Sequence, residues 1–292
     1  MIPALRLPAR LRATALAAGA LALASVALPV HHAGAQSWRN FDVSRQLTDT
    51  TPVLVRLDYE IGTLSVRPAT GGLLYGAHLR YDAERANPRY EFTPATRTLR
   101  LGVERRAGAT ARNGDAGELR VELTRRAPID LELRLGAVEA DLDLGGIRLD
   151  HLKVESGASE ANVRFDAPNP ERMRALTFAV GAASLRATRL ANANADHIRV
   201  QAGVGSVDLD FGGQWTHDVE LTLEMALGGA TLRVPRDVGI HVDATRRLAD
   251  FDLPGLVKRG DAWVSPNWET ARYRLRIHGR MTVGQLTLEG TE

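Results

Sequence analysis

Glycines at positions 136, 157, 181, 203 and 228 each stand three residues ahead of Glu139, Glu160, Ser184, Ser206 and Thr231, and a short strand-like alternation follows each of them. Their separations are 21, 24, 22 and 25 residues. A period in this range marks a repeat architecture, in which one small supersecondary unit buries its apolar face only against the next. Gly62 and Gly284 open further copies, and a worn copy without a glycine runs from Arg247 to Leu253.

Successive strand side chains point to opposite faces, so positions two, four and six residues after each glycine share one face. Those positions read Val138, Ala140 and Leu142, then Ala183, Leu185 and Ala187, and later Ala230, Leu232 and Val234. They are apolar but mostly small, which suits a narrow interior with closely approaching walls. Long helical periodicity is absent, and period-two alternation recurs, as in Asp130-Leu-Glu-Leu-Arg-Leu135. The class is all-β, and the expected form is a β-solenoid of stacked rungs. At the turn into each strand the glycine supplies positive φ or leaves room where a Cβ would not fit.

The outward position five residues after each glycine reads Asp141, Asn162, Arg186, Asp208 and Arg233. Stacking at about 4.8 Å per rung predicts that Asp208 lies between Arg186 and Arg233, with Asp252 of the worn copy continuing the alternation. The same ruler disfavours catalysis. A glycosidase needs its two carboxyls roughly 5–9.5 Å apart. Asp141 and Asp208 fall three rungs apart; Asp208 and Asp252 fall two apart, at the outer limit, with Arg233 expected between them. His151 and His197, each preceded by an aspartate, are also expected two rungs apart, too far to share a zinc ion. No nucleophile elbow or P-loop is present, so neither a catalytic residue nor a metal or other cofactor is assigned.

Residues 1–35 read as an export signal: Arg6, Arg10 and Arg12 precede an Ala/Leu-rich run, and Ala33-Gly34-Ala35 forms a small-residue cleavage site. An uncleaved anchor is the alternative. After cleavage no stretch approaches membrane-spanning length. The formal charge of +2 includes the three signal arginines, so the remainder is near neutral and has no general field to gather nucleic acid. There is no cysteine, hence no disulfide framework or thiolate metal site.

Residues 36–128 hold broader, aromatic-containing strands and are expected to form an N-terminal β cap, with the repeat domain over 129–292. Trp263, Trp268 and Tyr273 lie in a bulky segment suited to covering the last coils. Together with Trp215 they are also the candidates for stacking on sugar rings. Arg105, Arg106, Arg112, Arg120, Arg125 and Arg126 make a locally basic stretch, interleaved with Glu118 and Glu122.

Gly228-Gly-Ala-Thr-Leu-Arg-Val-Pro235, Gly260-Asp-Ala-Trp-Val-Ser-Pro-Asn-Trp268 and the closing Gly284 unit resemble the C-terminal domain of LiaF-like cell-wall-active antibiotic response proteins. With Ile61-Gly-Thr-Leu-Ser-Val66, Gly71-Gly-Leu-Leu-Tyr75 and Phe165-Asp-Ala-Pro-Asn-Pro170, the chain is similar to the exported toast-rack proteins of that group; adhesin-type repeats share the glycine pattern alone. Where that family shows Gly-Ala-Gly at the turn, this chain keeps only the first glycine at Gly136, Gly157 and Gly181. The resemblance implies a non-catalytic module at the cell envelope, with an envelope protein or glycan as partner and an adhesin-like or stress-sensing role. LiaF-like proteins usually carry transmembrane helices ahead of this domain, and here a signal segment stands in that place.

Overall fold

The computed structural model describes residues 37–106 and 117–291. Its strands are β1 (Trp38–Gln46), β2 (Val53–Pro68), β3 (Leu73–Asp82), β4 (Ala86–Thr93), β5 (Thr98–Arg105), β6 (Gly117–Leu123), β7 (Ile129–Asp143) and β8 (Leu149–Ser156). They continue with β9 (Glu160–Arg164), β10 (Ala175–Thr188), β11 (His197–Asp210), β12 (Val219–Pro235), β13 (Gly239–Asp252), β14 (Val257–Arg259), β15 (Ala262–Val264) and β16 (Arg274–Thr291). One short 3-10 helix covers Leu190–Ala193. The fold is all-β.

A ladder of parallel pairings runs β2, β7, the pair β8 and β9, β10, β11, β12, β16, β13. β8 and β9 are two arms of one tier, separated at residues 157–159, where the longer strands pass without a break. The alternation expected from the sequence sets the inner face. Along β7, Leu131, Leu133, Val138, Ala140 and Leu142 are buried while Glu132 and Glu139 are not. Val154, Phe178 and Val200 stack in register across three tiers, each fully buried. Burial of such side chains contributes ~1.5–3 kcal/mol apiece.

The glycines do not form one column. Gly136, Gly157, Gly181 and Gly203 align, but Gly228 pairs with Gly205 and with Gly284, two residues further along the strand. Gly62 belongs to this second column, opposite Val138. The columns answer different needs. In the first, a Cβ on Gly181 would fall 2.7 Å from the Gly157 carbonyl oxygen, a problem of space. In the second, Gly62, Gly205, Gly228 and Gly284 hold φ between 124° and 140°, which L side chains rarely adopt. A two-residue slip preserves the inward face, so Ala230, Leu232 and Val234 are buried as expected.

The slip does change the outer neighbours. Arg186 meets Asp208 at 3.5 Å as expected, but Asp208 stands beside Thr231, and Arg233 pairs with Glu289 at 2.9 Å. Asp208→Ala is expected to lower stability by less than ~1 kcal/mol, read as a urea-midpoint shift, because the ion pair is exposed and solvent-screened.

Tier order departs from chain order once. The final strand β16 inserts between β12 and β13, so the worn copy stands at the end of the ladder, with Ala249 rather than Arg247 in register with Gly284. Asp252 therefore lies beyond both Thr231 and Thr287 from Asp208, a wider separation than expected. An edge position tolerates the exposed charges of β13, Asp243, Arg247 and Asp250, better than an interior tier would.

The opposite end is closed by earlier strands. β5 pairs with one arm of β2 and β6 with the other, while β4, β3 and β1 extend this layer in antiparallel pairings. β2, within the 36–128 segment, is itself a full tier of the ladder.

Between tiers the chain returns through turns linked by asparagines. Buried Asn169 donates to the carbonyls of Leu149 and Ala193 at 2.8 and 3.2 Å and accepts from the N–H groups of Leu149 and Glu171, both at 3.1 Å. Asn192 donates to Phe165 O and accepts from Gln214 N, each at 2.8 Å. Successive turns are thus tied to one another and not to solvent.

Candidate interaction surface

Because the chain bends within each tier, two successive residues face outward at the corner. The first is the position of Gly136, Gly157, Gly181 and Gly203; the second is apolar in every tier. In register this second column reads Ile61, Ala137, Ala158, Ala182, Val204, Leu227, Val283 and Leu248. The Ala158 N–H reaches Gly136 O at 3.1 Å and the Ala182 N–H reaches Gly157 O at 2.9 Å, which carries the column through the β8–β9 break. Three of its large members are open to solvent, Val204 at 49%, Leu227 at 46% and Leu248 at 78% exposed, while Ile61 and Val283 are half-buried. Across the bend the next outward column is polar or small, including Glu139, Glu160, Ser184, Ser206, Gln285 and Asp250. A continuous exposed apolar stripe is a recognised mark of an interaction surface. The groove along it is shallow and lined by Ala137, Ala158, Ala182 and Val204.

The four aromatic candidates separate into three groups. Trp215 and Tyr273 stack at 6.4 Å between ring centroids, and the Trp215 indole N–H donates to Phe211 O at 3.0 Å. Trp268 packs against His241 at 5.3 Å, with the guanidinium groups of Arg274 and Arg276 over its ring at 5.8 and 5.6 Å. Trp263 meets Phe251 edge-on, with the Lys258 ammonium 5.5 Å from its ring centre. All four are half-buried. The repeat glycines Gly62, Gly136, Gly157, Gly181, Gly203, Gly228 and Gly284 fall in the two columns described above.

Three arginines of the basic stretch are engaged within the protein, while Arg125 and Arg126 are exposed. Arg105 pairs with Glu60 at 3.3 Å, Arg120 with Glu118 at 2.6 Å, and Arg106 donates to Asn87 Oδ1 at 3.0 Å. Arg112 falls outside the described residues.

His197 and the aspartate before it, singled out in the sequence, have partners that the sequence did not show. Glu220 lies 3.4 Å from both His197 and His278, and His217 lies 3.2 Å from Asp196. His197 and Glu220 each stand eight residues before a glycine of the second column, Gly205 and Gly228, which sets them in register. Among the described residues no three His, Cys, Asp or Glu side chains converge on a point that would hold a metal ion. Asp130 has its carboxyl pushed above the ordinary range by burial and by Asp150 nearby. Asp150 is itself held by Arg174, whose protonated form it stabilises. Asp130, Asp150 and Arg174 thus form one ion network.

The N-terminal domain of toast_rack, DUF2154, matches residues 33–185. The chain belongs to the toast-rack family. Solved structures similar to this toast-rack chain include a candidate cell adhesion protein from Clostridium sporogenes, at 16% identity and TM-score 0.45, covering 87% of this chain and 100% of that one. A candidate adhesin from Bacteroides fragilis is similar at 10% identity and TM-score 0.34, covering 87% and 97%. A candidate lipid binding protein from Parabacteroides distasonis is similar at 7% identity and TM-score 0.28, covering 87% and 97%. No curated protein matches the toast-rack chain. Among the described residues no helix is long and apolar enough to cross a membrane.

Proposed function

We propose that this toast-rack protein is a non-catalytic module exported to the cell envelope, where it binds a partner through its outer corner in an adhesin-like or envelope-sensing role. Its tiers act as a β-solenoid scaffold, with the strands of 36–128 serving as cap. The observation that carries this reading is the apolar column from Ile61 to Leu248. Eight tiers agree on an apolar residue at this corner, and in six of them, Ala137, Ala158, Ala182, Val204, Leu227 and Leu248, it is exposed, which makes a contiguous patch and not scattered single residues.

Crosslinking in envelope extract tests it. The wild-type chain is expected to capture a defined envelope component that the Val204→Ser/Leu227→Ser variant loses at least about tenfold, with melting unchanged because both side chains are exposed. Turnover of an envelope polysaccharide by the purified chain, or capture indifferent to those substitutions, overturns the proposal.

A second reading has one observation of its own. Trp268, flanked by Arg274 and Arg276, offers a ring and cations suited to an acidic glycan. Under that reading Trp268→Ala abolishes capture and the corner variant does not.

A further inference from the structure

β13 is the last long strand of the ladder, and β15 covers its outer edge only at His241 and Val242. From Asp243 to Asp252 no described strand pairs with that edge. An open strand edge is a template for another strand. This one carries the most exposed member of the apolar column, Leu248, and on either side of it the exposed Arg247 and Asp250. Among the described residues neither charge has an ion-pair partner.

We propose that two copies of this chain join edge to edge through β13, antiparallel, about a two-fold axis between Leu248 and Ala249. A bent strand maps onto itself when flipped about the bisector of its bend, so the corner is no obstacle. Each arm of one copy meets the opposite arm of the other. On the two arms outward residues then meet outward residues: Arg247 faces Asp250 of the second copy, and Thr245 faces Asp252 of the second copy. Because the interface is isologous, the Arg247 to Asp250 pairing occurs twice. Axes through Arg247 or through Asp250 set like charges against each other, which disfavours those registers. At the centre each Leu248 lies opposite Ala249 of the other copy, which sets the two Leu248 residues diagonally across the axis and brings the apolar columns of the copies end to end. The surroundings favour a copy over a membrane. Glu224 and Arg280 neutralise each other at 3.4 Å, and Arg247 and Asp250 balance, so the edge has no cationic field for anionic lipid.

This inference stands on the β13 edge and not on the function proposed above. Sedimentation of the purified chain at about 1–100 μM tests it, with Arg247→Glu and the exchange Arg247→Glu/Asp250→Arg as variants. The wild type is expected to form a dimer. Arg247→Glu sets acid against acid twice and is expected to weaken the dimer at least about tenfold, and the exchange to restore it within about threefold. Both positions are exposed, so far-ultraviolet dichroism should show all three proteins folded. A chain monomeric at about 100 μM, a dimer indifferent to Arg247→Glu, or a loss that the exchange leaves unrepaired overturns the proposal.

Discussion

Gly284→Val is expected to prevent cooperative folding, at a cost above ~4 kcal/mol. Two faults add at that position. Its φ of 136° lies where a β-branched residue is strained, and an added Cβ falls 1.7 Å from the Gly228 carbonyl oxygen. The obstacle is backbone, so no rotamer relieves it. Moving the backbone instead would break pairings on both sides, since β16 is held by β12 and by β13. Gly157 is the contrast: its φ is not positive, and an added Cβ stands 3.4 Å from the Gly136 carbonyl oxygen. Gly157→Ala is expected to change stability by less than ~1 kcal/mol. Urea denaturation followed by circular dichroism compares the two. Equal tolerance of both substitutions would contradict the two-column arrangement.

Asn169→Ala is expected to cost about 3 kcal/mol, far more than a surface asparagine. The side chain is 2% exposed and makes four hydrogen bonds, two with Leu149 and one each with Ala193 and Glu171. Alanine leaves backbone groups of neighbouring turns without partners where water does not reach them. The loss is larger than for one bond because the residue joins three consecutive turns. A midpoint shift in thermal and urea melts equivalent to less than ~1 kcal/mol would show that the turns do not depend on it.

The two results bear on different parts of the sequence. Strand content and inward faces were legible because alternation is local: Leu131, Leu133 and Leu135 declare a face by themselves. The asparagines were not legible in this way. Asn169, Asn192 and Asn194 stand in an irregular stretch, and apart from the Glu171 N–H the backbone groups they bond lie 20 to 27 residues away. The side chain names no partner until the turns are stacked.

Register was partly legible. Gly203-Val-Gly205 carries a member of each glycine column in one strand, so the shift at Gly228 had a signal in the sequence. The slip leaves the core intact, since two residues keep parity, yet it moves Arg233 from Asp208 to Asp210 in register. Outer-face chemistry is therefore the part most sensitive to register, and the part least protected by the hydrophobic pattern.

The apolar corner column has the same origin. Each member is a single Ala, Val, Leu or Ile that in its own strand reads as an ordinary interruption of the pattern. Only the uniform stacking of eight tiers reveals that the interruptions coincide. The sequence by itself determined an all-β repeat with a narrow apolar interior and glycines at its bends, because alternation and backbone freedom are properties of neighbouring residues. The tertiary structure alone decided that β16 lies inside β13, which outer charges meet, and that an apolar stripe ends at an open strand edge. Those outcomes depend on which strand lies beside which, over separations where the chain carries no local record.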